Sequence, residues 1–143
     1  MLSKIYSYGI SGLEAYPVTV EVDVANGLPS MVIVGLPDSA VRESKERVRS
    51  AVKNSGYKFS PQRITVNLSP ADIKKEGSSF DLAISLGIIG ATGQIDPSLL
   101  KDYIVLGQLS LDGTVQPVPG ALTIALSLPK DTYKGIILPE VNA

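Results

Sequence analysis

The chain has no cysteine, no histidine and no tryptophan among its 143 residues. Without thiols it can form neither disulfides nor thiolate metal sites. Without imidazole, a histidine-based catalytic triad and a histidine-ligated zinc are both excluded. Carboxylates alone could hold a hard cation, but no run has the acidic spacing of an EF-hand loop, so no metal site is expected. Charge asymmetry is missing too. Lys and Arg number 13 against 14 Asp and Glu, a net charge of -1, which lacks the basic excess of an autonomous nucleic-acid module and the acidic excess of a disordered tail. Any contact with DNA must therefore come from a local patch. Long apolar runs are absent as well. The start, MLSKIYSYGIS, has no signal-peptide core, and the apolar stretch at 82–89 is too short to span a bilayer. A cytoplasmic address with no membrane partner is expected.

What is present fits one domain over residues 1–143, with 44% hydrophobic residues to build its core. From Tyr16 to Ala25, Val18, Val20, Val22 and Val24 alternate with Thr19, Glu21 and Asp23, the period of a strand with one buried face. Asn26-Gly27 then predicts a turn, and Met31 to Val34 a second strand closing a hairpin. Lys4 to Ile10 reads as a weaker strand beside it. A helix is predicted from about Ser39 to Asn54, capped by Asp38 or Ser39, with Val41, Val48 and Val52 on one arc and Gly56 just past its end. Ile64 to Leu68 is a strand, and Ser79 to Ile89 an almost wholly apolar helix that must lie between the sheet and another element. Tyr103 to Leu111 and Thr114 to Val118 flank Asp112-Gly113, a hairpin signal. A short helix at Gly120 to Leu128 and a strand at Gly135 to Leu138 follow. The predicted class is α+β in the order βββαβαββαβ.

Two segments carry the chemistry. Lys74 to Ile89 reads KKEGSSFDLAISLGII, and Leu109 to Leu122 reads LSLDGTVQPVPGAL. Together they resemble the proteolytic domain of Lon-type proteases, whose fold is also that of ribosomal protein S5 domain 2. The resemblance puts Ser79 at the nucleophile's position and predicts a catalytic lysine four residues after Gly120, where Ile124 stands instead. An aliphatic side chain cannot accept a proton. The small residue and glycine that follow the serine in those proteases are replaced by Phe80 and Asp81. Lys101, Lys130 and Lys134 do not occupy the expected helix position, and Lys74 and Lys75 are expected to be solvated. Ser78 or Ser79 is therefore read as a helix cap, with Asp81 complementing the dipole of the first turn.

The stretch IYSYGISGLEAYPVTVEVDVANGLPSMVIVGLPDSAVRESKERVRSAVKNSG, followed by ITVNLSPADIKKEGSSFDL, resembles the amino-terminal domain of the ComM/YifB family of magnesium-chelatase-like AAA+ proteins. The resemblance implies a non-catalytic domain that precedes a P-loop ATPase module, in ring-forming proteins associated with DNA branch migration during natural transformation. ATP and magnesium would belong to that module, since GxxxxGK[ST] is absent here. The final residues, from Ile136 to Ala143, then read as a connection cut short before the module.

Three alternatives stay open. One is a Ser/Lys peptidase with a relocated base. Another is phosphate binding at the glycine-serine loop, as in GHMP kinases, although their loop is richer in glycine. The third concerns surfaces. Arg42, Arg49 and Lys53, at i, i+7 and i+11, are the candidates for DNA phosphates, set against an ordinary solvated face on which Glu46 offsets Arg42 and Glu43 offsets Arg47, with no interleaved aromatic. An edge strand at Lys4 to Ile10 could instead pair with a partner.

Overall fold

The computed structural model describes residues 1–59, 61–70, 75, 78–129 and 131–142. Lys74, Lys130 and the Ser78 side chain, all named above, lie outside the described residues, as does Gly77 of the glycine-serine loop. Strands β1 (Leu2–Ser11) and β2 (Glu14–Ala25) form an antiparallel hairpin around Gly12, whose φ of 62° suits the tight turn. The chain continues through β3 (Ser30–Val34), α1 (Asp38–Asn54), β4 (Arg63–Ser69), α2 (Asp81–Ala91), β5 (Tyr103–Val105), β6 (Gln108–Leu109), β7 (Val115–Gln116), α3 (Ala121–Ser127) and β8 (Gly135–Ile137). Six strands make one mixed sheet in the order β3-β4-β2-β1-β5-β8, and β6 pairs with β7 in a separate ribbon.

The α+β class holds, and three details differ from the sequence reading. The segment 103–111 is two strands, so the order is βββαβαβββαβ. The Leu106 amide makes the last bond of the β5–β8 ladder, to the Ile137 carbonyl at 2.8 Å, and the strand breaks at Gly107, whose amide goes to the Ser79 carbonyl at 3.2 Å. The hairpin expected between β2 and β3 does not form. β4 inserts between them, antiparallel to β2 and parallel to β3, with α1 as the crossover. Third, β1 is interior, flanked by β2 and β5, and offers no edge to a partner.

Helix ends follow local chemistry only in part. Gly56 lies at φ 88° just past α1, its amide on the Lys53 carbonyl at 3.1 Å. At the other end Pro37 takes the cap position without a side-chain bond, so neither Asp38 nor Ser39 caps the helix, and Asp38 serves in its first turn.

The strand period sorts the core into two layers. Ile5 of β1 and Val18 to Val24 of β2 face α1 and α2, packing against Val48, Val52, Ile84 and Ile88. Tyr8 and Ile10 face the opposite side, where Ile104, Leu106, Val118, Ala121 and Ile124 close a second cluster under α3. The apolar α2 lies between the sheet and α1, as its composition requires. Its contact with β2 is so close that a Cβ on Gly87 would stand 2.5 Å from Val22 Cγ2.

Candidate functional site

The short helical turn at 78–80 brings Ser79 to the mouth of a small, mostly apolar pocket of about 40 Å³. Tyr8, Ile10, Tyr16, Leu106, Val118 and Ile124 are among its walls. The fold thus unites the two positions that the Lon resemblance singled out, although 45 residues separate them in sequence. Ser79 is held by its backbone. Its carbonyl accepts from Gly107, and the Gly107 carbonyl accepts from Leu82 at 3.1 Å. The capping expectation fails for Ser79, because α2 starts at Asp81 with Phe80 in the cap position and no side-chain cap bond.

Among the described residues lining this pocket there is no lysine, carboxylate or other ready proton acceptor for Ser79. Ile124 is 2% exposed and apolar. Burial, and secondarily the neighbouring Tyr133, raises the Tyr8 phenol above its ordinary 10.0, so it stays protonated at neutral pH. No lysine is among the described residues lining the pocket. Lys101 is exposed, and Lys134 is drawn to Asp102 at 3.4 Å. Lys75 corrects an expectation: it is fully buried rather than solvated, and its ammonium donates to the Pro70 carbonyl.

Asp81, where the resembled proteases have glycine, is at the centre of a polar network that sequence reasoning missed. Its carboxylate is 0% exposed. It accepts from Arg47 Nε at 2.6 Å and the second guanidinium nitrogen at 3.2 Å, from Ser44 Oγ at 3.0 Å and from the Leu109 amide at 3.2 Å. One side chain therefore clamps α1, α2 and β6. Burial pushes the Asp81 carboxyl above its usual range, opposed by Arg47, the Leu109 amide and Ser44. Arg47 is also raised, chiefly by its hydrogen bond to Asp81. The pair thus favours charge on one partner and resists it on the other. Unequal burial is the reason, because the Arg47 side chain keeps 19% of its surface in water and loses less hydration. The available signal was Arg47 itself, a cation on the α1 flank that turns toward the core beside Ser44 and Val48.

The other flank of α1 carries Arg42, Arg49 and Lys53, all exposed. The pairing differs from the expected one: Glu46 lies 3.9 Å from Arg49, while Glu43 lies 3.9 Å from Arg47 as anticipated. An aromatic is present after all. The Arg49 guanidinium sits 5.9 Å from the centroid of Phe59, which comes from the loop after the helix. Arg49, Lys53 and Phe59 border an open groove of about 330 Å³ with Ser30, Met31 and Gln62.

Comparison with known proteins places this geometry in a family. The family described as subunit ChlI of magnesium chelatase matches residues 20–142. The chain belongs to this ChlI family. It is 41% identical over 139 residues to the uncharacterized protein YifB of Escherichia coli and 42% identical over 142 residues to the competence protein ComM of Haemophilus influenzae. These alignments cover 97% and 99% of the chain but only 28% of each relative, so the chain spans little more than a quarter of their length. A more distant relative, Lon protease 2 of Thermus thermophilus, is 25% identical over 130 residues, covering 86% of this chain and 16% of that protein. That likeness is consistent with a Lon-type fold. The sequence has no P-loop, and no group of three or more acidic side chains among the described residues could hold a metal ion. No helix among them is long and apolar enough to cross a membrane.

Proposed function

We propose that this is a non-catalytic domain of a longer ComM/YifB-type machine, engaging DNA or neighbouring subunits while an ATPase module outside this chain binds ATP and magnesium. The observation that carries the reading is Ile124. It occupies the wall of the Ser79 pocket where a Lon-type mechanism needs a lysine, and the Tyr8 phenol beside it remains protonated. Support for the competence setting comes from the 42% identity to ComM.

The test is cleavage of an unstructured protein such as casein, by this chain and by the full-length protein, each with and without Ser79→Ala. Absence of cleavage, with ATP hydrolysis by the full-length protein unaffected by Ser79→Ala, is the expected result. Cleavage that Ser79→Ala abolishes would overturn it and establish a serine peptidase with a base drawn from elsewhere.

A further inference from the structure

β3 is the outermost strand of the sheet, and none of the described residues pairs with its outer edge. Its backbone polarity follows from one bond. The Ser30 amide donates to Gln62, so in a parallel ladder Ser30, Val32 and Val34 turn their polar groups toward β4. The amides and carbonyls of Met31 and Ile33 consequently point away from the sheet. Natural edges are usually guarded by charge, proline or a bulge. The sequence SMVIV contains no charge and no proline, and Val32 and Val34 are 49% and 48% exposed on the face away from α1.

The other side of this edge is overhung by charge. Arg47 turns the inner flank of α1 toward α2 and Asp81, which leaves Arg42, Arg49 and Lys53 on the opposite flank, with Arg49 and Lys53 beside β3. The groove confirms the juxtaposition, because Arg49 and Lys53 border it together with Ser30 and Met31 of β3. The lengths also agree. The cationic flank extends about 16 Å along the helix, and five extended residues cover about 13–16 Å. No carboxylate is among the described residues that border the groove.

We propose that the β3 edge accepts an extended acidic segment of a partner protein as an added strand. Main-chain bonds go to Met31 and Ile33. Alternate side chains of the incoming strand divide by face: apolar ones beside Val32 and Val34, carboxylates beneath Arg42, Arg49 and Lys53. An acidic strand fits better than a nucleic-acid backbone, because phosphates cannot use the unpaired amides and carbonyls of the edge in register. The inference deepens the subunit-engaging half of the proposed role and rests on it for the biological identity of the partner.

The experiment uses the 143-residue chain and an acetylated, amidated heptapeptide alternating valine and glutamate, at up to millimolar concentration. The readouts are amide exchange at Met31 and Ile33 by NMR and peptide anisotropy. Expected are slowed exchange at those two amides, at least tenfold weaker binding in the Arg49→Glu/Lys53→Glu variant, and no binding of the valine-lysine peptide. Both substituted side chains are exposed, and an unchanged far-UV spectrum and melting temperature would show that the variant folds. Peptide binding without protection at Met31 and Ile33, or no protection at millimolar peptide, overturns the proposal. So does protection of the α1 flank by a DNA oligonucleotide that excludes the peptide, since the surface would then be a nucleic-acid contact. The peptidase assay decides the non-catalytic reading separately, so failure of one leaves the other standing.

Discussion

Replacing Asp81 by alanine should destabilise the domain more than its surface-like composition suggests. The carboxylate is fully buried and satisfies donors from Arg47, Ser44 and Leu109. Removal leaves three consequences of unequal weight. Arg47 loses both bonds, but its partly exposed guanidinium can recover water and stays near Glu43. The Ser44 hydroxyl can rotate back to a carbonyl of the preceding turn. The Leu109 amide has no such freedom, and a buried unpaired donor costs about 1–3 kcal/mol. Breaking a buried pair by removing one partner typically costs about 3–5 kcal/mol, and the residual hydration of Arg47 argues for the lower half of that range. The assay is urea denaturation of Asp81→Ala, Arg47→Met and the double variant, followed by circular dichroism. The double variant should lose less than the sum of the singles, because the second substitution removes the charge stranded by the first. A loss below about 1 kcal/mol for Asp81→Ala, or strict additivity, would refute the clamp.

The same pair predicts a pH signature. Burial already raises the Asp81 carboxyl, so its contribution is fully present below the unfolded carboxyl range and is lost as pH rises through the folded value. Arg47→Met removes the opposing guanidinium and raises that carboxyl further, so urea midpoints at pH 4 and 7 should show the variant's deficit growing with pH. Gly87→Ala gains at most about 1 kcal/mol of helix propensity. Its Cβ would meet Val22 at 2.5 Å, an overpacking cost of about 1–3 kcal/mol, so a lower melting temperature is expected and a higher one would show that the α2–β2 contact can relax. Ile124→Lys buries an amine in an apolar pocket. The folded lysine should fall below its ordinary range, so the variant regains stability as pH rises; a pH-independent deficit would mean that the amine reaches water.

Much of the fold was legible because burial writes a period into sequence. Val18 to Val24 announced a strand with one covered face, and Leu82 to Ile89 announced a helix covered on nearly all sides. Asp112-Gly113 gave the β6–β7 ribbon, where Gly113 takes φ 92° and the Asp112 carboxylate accepts from Thr114 at 2.9 Å. Periodicity assigns faces, however, and not neighbours. The insertion of β4 between β2 and β3, which leaves β3 at one end of the sheet, was invisible for that reason, and so was the pairing of β5 beside β1, which makes β1 interior. Polar residues misled for a related reason. Lys75 reads as solvated by its type, and Asp81, which does stand in the first turn of α2 as its place in the sequence implies, gave no sign of its burial or of its bond to Arg47. Their burial depends on elements far away in the chain.

The sequence by itself determined that no thiol or imidazole chemistry occurs here, that the strands and helices follow one another as α+β, and that an aliphatic residue replaces the expected base. These are matters of residue type and local spacing. Only the tertiary structure decided that Ser79 and Ile124 share a pocket, that Arg47 turns inward to Asp81 while Arg49 and Lys53 border a groove with β3, and that none of the described residues pairs with the outer edge of β3. Those relations come from strand order and helix crossover, which depend on how separated apolar faces meet and which local patterning leaves unspecified.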